Sequence, residues 1–247
     1  MIDLSGKVTL ITGGSRGIGA ACVKLFSSAG SKVAFTYKQK KEEADILASK
    51  YNALAIKADM ESETEINSSV EEAIKKFGKI DILVHNAGIW NDGTIEKMTK
   101  DHWEELMRIN LTSNFLFVKA VLPYMKKNNF GRIINISSTA GQRGEAFHSH
   151  YAASKGGMIS FTKSLAVELA PYNITTNSVA PGWVDTDLNN EVFADAEFKE
   201  AARKGIPTGR IPTADDIAGP ALFLASGLAR HINGEILNVN GGSVLCG

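Results

Sequence analysis

Short apolar runs rich in β-branched residues alternate along the chain with longer stretches in which apolar residues recur every three or four positions. The first pattern predicts strands at Lys7–Thr12, Lys32–Tyr37, Ala53–Ala58, Ile80–His85, Gly131–Ser137, Ile174–Ala180 and Glu235–Val239. The second predicts helices at Gly17–Ala29, Lys40–Tyr51, Glu63–Phe77, Lys100–Lys126, Tyr151–Ala170 and Thr213–Ser226. Several strand segments, Ile80-Asp81-Ile82-Leu83-Val84 among them, are almost continuously apolar, as strands buried on both faces are. Strict alternation with right-handed crossovers predicts an α/β fold: a doubly wound open sheet of about seven parallel strands with helices on both faces.

Gly30 follows the first helix where a left-handed C-terminal cap is wanted. The stretch from Asp185 to Pro212 is the longest without a strand and follows a strand's carboxyl end, the edge where open α/β sheets bind ligands. A substrate lid near residues 185–212 is therefore expected. No Pro/Ser-rich linker, charge block or repeat divides the chain, so residues 1–247 are expected to form one catalytic domain.

Composition narrows the partners. Hydrophobic residues make up 44% and charged residues 22%, as in a soluble globule with a large core. Formal net charge is zero, which argues against nucleic acid or an anionic membrane as partner. The apolar runs are strand-sized, short of membrane-spanning length. Met1 to Lys7 lead into a strand without a basic-then-apolar leader, and the cytoplasm is the expected location. Cys22 reads as buried helix packing, nothing near Cys246 suggests a reactive thiol, and the five histidines lack metal-ligand spacing, so no metal is expected.

The first strand runs into Thr12-Gly13-Gly14-Ser15-Arg16-Gly17-Ile18-Gly19, which opens a helix. Glycine permits the tight turn and lets backbone N–H groups approach a pyrophosphate, while the helix N-terminus adds donors and partial positive charge. This strand–turn–helix context points to a Rossmann-type dinucleotide site. The spacing is Gly-x-x-x-Gly-x-Gly, and it resembles the short-chain dehydrogenase/reductase family, specifically its single-domain members of this length.

An acidic residue ending the second strand would favour NAD by bonding the adenosine ribose. Here Val33-Ala34-Phe35-Thr36-Tyr37-Lys38 ends without one. Arg16 and Lys38 could face a 2′-phosphate, which favours NADP(H) over NAD(H). Alternatively, Lys38 begins a solvated run, Lys38-Gln39-Lys40-Lys41. The resemblance adds cofactor contacts at Tyr37, Asp59 and Met60, with Asp59 meeting the adenine ring. It also implies contacts at Asn86, Ala87 and Gly88, which resemble the family's Asn-Asn-Ala-Gly element with His85 replacing the first Asn. His85 reads as a satisfied strand-end residue.

Tyr151-Ala152-Ala153-Ser154-Lys155 places a phenol and an ammonium on one helical face. With Ser138 at the carboxyl end of the fifth strand and Asn110 inside the long helix, they match the family's catalytic set, and the resemblance spans Gly6 to Gly242. Hydride transfer to a carbonyl leaves negative charge on oxygen, which needs a proton donor and hydrogen bonds. Tyrosine titrates near 10 when unperturbed, and a nearby ammonium and the oxidised nicotinamide favour the phenolate. A downward shift of about three units, roughly 4 kcal/mol, would bring it near working pH. By resemblance, Lys155 bonds the nicotinamide ribose, Ser138 holds the carbonyl oxygen, and Asn110 distorts its helix and holds a water leading to Lys155. Pro181-Gly182-Trp183-Val184-Asp185-Thr186 is similar to the family's Pro-Gly element, with Val184 backbone and the Thr186 hydroxyl fixing the carboxamide.

Three loops are expected to choose the substrate. They contain Ile89, Trp90 and Asn91, then Gln142, Arg143, Phe147 and His148, then Trp183, Leu188, Val192 and Phe193. Arg143 either meets an anionic substrate or faces solvent. Within the family the chain most resembles 3-oxoacyl-[acyl-carrier-protein] reductases, which implies NADPH, an acyl carrier protein as partner and a homotetramer built on the Lys100–Lys126 and Tyr151–Ala170 helices. Those reductases often carry basic residues beside the entrance; the stretches that correspond by resemblance, Asn128-Asn129-Phe130 and Pro171-Tyr172-Asn173, hold no arginine, and zero net charge gives no long-range attraction for an acidic carrier. A carbonyl, sugar or polyol reductase is thus the alternative, and a non-catalytic NADP(H)-binding regulator the remote one.

Overall fold

The computed structural model describes residues 2–245, so Cys246 lies outside the described residues. Seven strands form one parallel sheet: β1 (Val8–Ile11), β2 (Lys32–Tyr37), β3 (Leu54–Lys57), β4 (Ile82–His85), β5 (Gly131–Ile136), β6 (Ile174–Pro181) and β7 (Ile236–Val239). Their order is β3-β2-β1-β4-β5-β6-β7, with the reversal between β1 and β4. That reversal opens a crevice at the carboxyl ends of the strands, where the glycine turn lies.

Side chains alternate across the pleat and feed two cores. Ile11, Val33, Phe35, Ile82 and Val84 face one core, which Phe26, Ile217 and Ala221 complete. Leu10, Ala34 and Leu83 face the other, with Ile66, Val70, Phe117 and Leu165. The first is closed by α1 (Gly17–Ser28) and α10 (Ala214–Ala225), with α2 (Lys41–Tyr51) at its edge. The second is closed by α3 (Glu63–Phe77), α5 (Ser113–Lys127) and α7 (Ser149–Leu169). Cys22 is buried in α1, where desolvation pushes its thiol up to about 12, in keeping with a packing role. Gly30 turns the chain out of α1 at φ +89, and a Cβ there would approach Ser5 Oγ to 2.7 Å.

The structure departs from the expected pattern in two places. The helix expected over Lys100–Lys126 is divided into α4 (Lys100–Met107), a π turn at Arg108–Thr112, and α5. The Ser113 N–H reaches back to the Arg108 carbonyl, and Ser113 Oγ donates to the Ile109 carbonyl at 2.6 Å. Such wide turns mark places where tertiary contacts override the regular ladder. The lid segment contains a 3-10 turn at Asp187–Asn189 and two helices, α8 (Asn190–Phe193) and α9 (Ala196–Lys204). Its two ends meet where the Asp185 N–H donates to the Pro212 carbonyl at 2.9 Å. Among the described residues no helix is long and apolar enough to cross a membrane.

Candidate active site

The glycine turn is held from two neighbouring strands. The Gly13 N–H donates to Thr36 Oγ1 at 3.2 Å and the Gly14 N–H to the Thr36 carbonyl at 2.8 Å. Asn86 Nδ2 donates to the carbonyls of Thr12 and Gly13, both at 3.1 Å, which is the tether expected of it. Thr12 Oγ1 accepts from the N–H groups of Asn86 (3.0 Å) and Ala87 (2.9 Å). Gly13 and Gly17 have φ of +65 and +54, and a Cβ on Gly19 would lie 2.1 Å from the Gly13 carbonyl oxygen. No larger residue fits there without moving the turn. Ser15 is half-buried, Arg16 is exposed, and Ile18 lines the cleft. A Cβ on Gly17 would face Thr186 across 3.6 Å, so the turn and the segment after β6 close on one another. A helix N-terminus with backbone donors facing the switch point fits a dinucleotide pyrophosphate.

At the adenosine end Tyr37 and Met60 are buried. Lys38 is not the free cation the sequence suggested: its ammonium lies 2.8 Å from Asp59 and 3.8 Å from Glu61. The hydrogen bond to Asp59 holds Lys38 above its ordinary range. Burial pushes the Asp59 carboxyl up, but Lys38 and the Glu61 N–H together outweigh it and leave Asp59 below the usual value. Among the described residues Arg16 makes no ion pair, so it is the more available cation at this edge.

The expected catalytic residues converge at the cleft floor. Ser138 lies two residues past the end of β5 and caps α6 (Thr139–Arg143), its Oγ accepting from the Ala140 N–H at 3.1 Å. Gly141 lets α6 press against α7, since a Cβ there would meet the Lys155 carbonyl carbon at 2.5 Å. This close approach sets Ser138 beside Tyr151, near enough to pull its phenol down. Lys155 is buried, and its Nζ donates to the Ile136 carbonyl at 2.8 Å. Asn110 sits in the π turn. Its Oδ1 accepts from the Ile89 N–H at 2.8 Å, and its Nδ2 donates to the Ile89 carbonyl (3.0 Å) and Ser154 Oγ (3.2 Å). Ser154 Oγ in turn donates to the Tyr151 carbonyl at 2.8 Å, so Asn110 joins the loop after β4 to the catalytic helix. A Cβ on Gly88 would come within 3.1 Å of Asn110 Oδ1 and 3.6 Å of Lys155 Nζ, so only glycine leaves that corner open.

The electrostatics correct one expectation. Desolvation pushes the Tyr151 phenol up to about 12; the Ser138 hydrogen bond pulls it down and the Glu145 charge adds to the rise. Burial pushes Lys155 down to about 8. The lysine therefore loses its charge before the tyrosine titrates, and cannot by itself stabilise a phenolate. Below about 12 the phenol keeps its proton, the state required of a donor. His85 is buried, 3.1 Å from Ser113 Oγ through Nε2; burial, then the Lys155 charge, push it down to about 3. It is a neutral strand-end residue.

A cleft of about 450 Å³ opens above this floor, lined by Asn86, Gly88, Ser138, Tyr151, Lys155, Pro181, Gly182, Val184 and Thr186, and by Trp90, Arg143 and Trp183. Two expected substrate residues lie behind the wall. His148 stacks on Trp90 at 4.4 Å, and Phe193 backs Trp183 at 5.8 Å. Gln142 is turned away: α6 directs its Nε2 to Asn238 Oδ1 at 2.7 Å, outside the cleft lining. Glu145, Ser154, Gly141 and Phe198 were not singled out from the sequence. The first is a lone loop acid, and the others acquire meaning only through distant partners.

A glycine turn at the switch point, with half-buried Ser138 and Tyr151 beside buried Lys155, defines an oxidoreductase acting on a carbonyl or alcohol. A family model described as "Enoyl-(Acyl carrier protein) reductase" matches residues 13–243. The chain belongs to the short-chain dehydrogenase/reductase family. It is 42% identical over 246 residues to a 3-oxoacyl-[acyl-carrier-protein] reductase of Aquifex aeolicus, covering 98% of each chain. A second such reductase, from Vibrio cholerae, is 40% identical over 244 residues, again with 98% of each covered. The crystal structure of a dehydrogenase/reductase from Sinorhizobium meliloti superposes with a TM-score of 0.92 at 36% identity, covering 98% of this chain and 97% of that one.

Proposed function

We propose that this protein reduces the 3-oxo group of an acyl thioester to a secondary alcohol with NADPH. The observation that carries the reading is the Tyr151–Ser138 contact on the cleft floor beside buried Lys155, together with a 3-oxoacyl reductase as a full-length relative. Ser138 and Tyr151 would hold the carbonyl oxygen between two hydroxyls and stabilise charge developing there. Bound NADPH supplies the hydride. Tyr151 then delivers the proton, which its raised pKa has kept on the phenol. Lys155 would hold the nicotinamide ribose, while Val184 backbone and the Thr186 hydroxyl orient the carboxamide. Asn110 keeps the π turn and the loop after β4 in register with α7.

Arg16, with a share from Lys38, would select the 2′-phosphate, and Asp59 and Met60 would border the adenine. Residues 1–247 act as one catalytic domain in the cytoplasm, with residues 185–212 as its lid. A homotetramer pairing α4–α5 and α7 would cover the exposed Trp103, Phe115 and Val167. Asn128–Phe130 and Pro171–Asn173 directly precede β5 and β6, at the sheet edge opposite the cleft, so it is the zero net charge that favours a free small thioester over an acyl carrier protein as substrate.

The test is NADPH oxidation with acetoacetyl thioesters, simple ketones and sugars, repeated with NADH. Turnover of the thioester with NADPH supports the reading. Turnover of sugars alone transfers the site to a polyol reductase, and no turnover at all to a non-catalytic binder.

A further inference from the structure

The lining of the cleft carries an arc of aromatic rings. Trp90 and Trp183 meet edge to face, with centroids 5.8 Å apart and planes at 77°. Both line the cleft and stay half-buried. Each is braced from behind. Trp90 stacks on His148 at 4.4 Å and 14°, and His148 Nδ1 is fixed on the Ala146 carbonyl at 2.9 Å. Trp183 abuts Phe198 edge to face at 5.4 Å and Phe193 at 5.8 Å, both from the lid. The loop carrying Trp90 is tied down where the Gly93 N–H donates to the Phe147 carbonyl at 2.8 Å. Phe147 itself holds φ +65, a left-handed conformation that non-glycine residues rarely adopt outside functional loops.

Two indoles at a right angle form a corner offering one ring face and one ring edge. A flat ring entering it can satisfy both orientations that aromatic pairs prefer, whereas a flexible alkyl chain gains contact area alone. Braced walls add rigidity, so little order need be imposed on binding. The thioester arm must lead out of the cleft, and the corner lies within the cleft lining. The substituent on the far side of the ketone therefore ends inside the cleft.

Resting on the thioester reading above, we infer that the Trp90–Trp183 corner selects 3-oxoacyl thioesters whose ketone bears an aromatic ring, in preference to short linear chains. Ile89 and Leu188 extend the apolar wall on either side.

The experiment compares kcat/KM for two N-acetylcysteamine thioesters, 3-oxo-3-phenylpropionyl and acetoacetyl, with NADPH, in the wild type and in Trp90→Leu and Trp183→Leu. Leucine keeps apolar bulk and removes the ring, and retained NADPH binding reports that each variant is folded. The wild type is expected to favour the phenyl substrate by about tenfold or more, and each variant to lose about tenfold of that preference. Equal or better use of acetoacetyl thioester by the wild type overturns the inference while leaving the thioester reading standing. A preference unchanged in both variants overturns the role of the corner. Turnover of neither thioester removes the thioester reading itself.

Discussion

Lys155 Nζ lies 5.8 Å from the centroid of the Tyr151 ring, and its hydrogen bond goes to the Ile136 carbonyl instead. The ammonium is held at the cleft floor by backbone, beside a phenol that burial keeps protonated. The pair is therefore set as a proton donor with an adjacent cation, suited to reduction before anything is bound.

Holding Lys155 there has a cost visible in stability. Its folded pKa is about 8 against an ordinary 10.5, so below pH 8 the unfolded state is favoured by the full penalty, which fades as pH rises through 10.5. In the absence of cofactor, Lys155→Met should gain stability relative to wild type at pH 7. That advantage should shrink by about 2–3 kcal/mol by pH 10. Urea denaturation of both proteins at the two pH values measures it, and a difference independent of pH contradicts the burial argument.

His85 makes the opposite prediction on the acid side. Its folded pKa of about 3 lies below the ordinary 6.5, so its contribution is complete above pH 6.5 and is lost as pH falls toward 3. At pH 4.5 the wild type should have lost about 2–3 kcal/mol on this account, and His85→Asn should lose correspondingly less. Parallel denaturant titrations at pH 7 and 4.5 decide it; equal losses would show that His85 is not the group responsible.

Cofactor choice should depend unequally on the two cations. Lys38 is shared with Asp59 at 2.8 Å and Glu61 at 3.8 Å, whereas Arg16 makes no ion pair among the described residues. A 2′-phosphate therefore takes an available partner in Arg16 but competes with carboxylates for Lys38. Arg16→Ala should weaken NADPH binding by about tenfold or more and NADH by far less, with a smaller effect for Lys38→Ala. Titration of intrinsic fluorescence with each nucleotide reads both constants. Equal weakening of NADPH and NADH would sink the assignment.

The chain wrote its regular parts plainly. The helix expected over Glu63–Phe77 has those bounds in the structure, where Ser62 caps its start and Gly78, at φ +81, ends it. The β2 limits match the apolar run read at Lys32–Tyr37. The π turn at Arg108–Thr112 has no glycine or proline to announce it. It arises from Asn110 reaching Ile89, a contact that exists only after folding. Helix α9 did leave a local signal, since Asp195 caps it by accepting from Glu197 and Phe198 N–H groups, but the strand-free length of the lid masked it. Gln142 turns from the cleft and Lys38 is paired for one reason. Each has a polar partner distant in sequence, Asn238 and Asp59, which spacing cannot reveal. The direction of the Tyr151 shift was likewise hidden, because helical spacing placed the ammonium nearby but said nothing of the desolvation of the phenol.

The central claim is that Tyr151 gives the proton. Tyr151→Phe removes one hydroxyl and keeps the ring, so it should abolish NADPH-dependent turnover of an acetoacetyl thioester, by about a thousandfold or more, while NADPH affinity stays within a few-fold of wild type. Turnover by Tyr151→Phe within about tenfold of wild type would contradict the account.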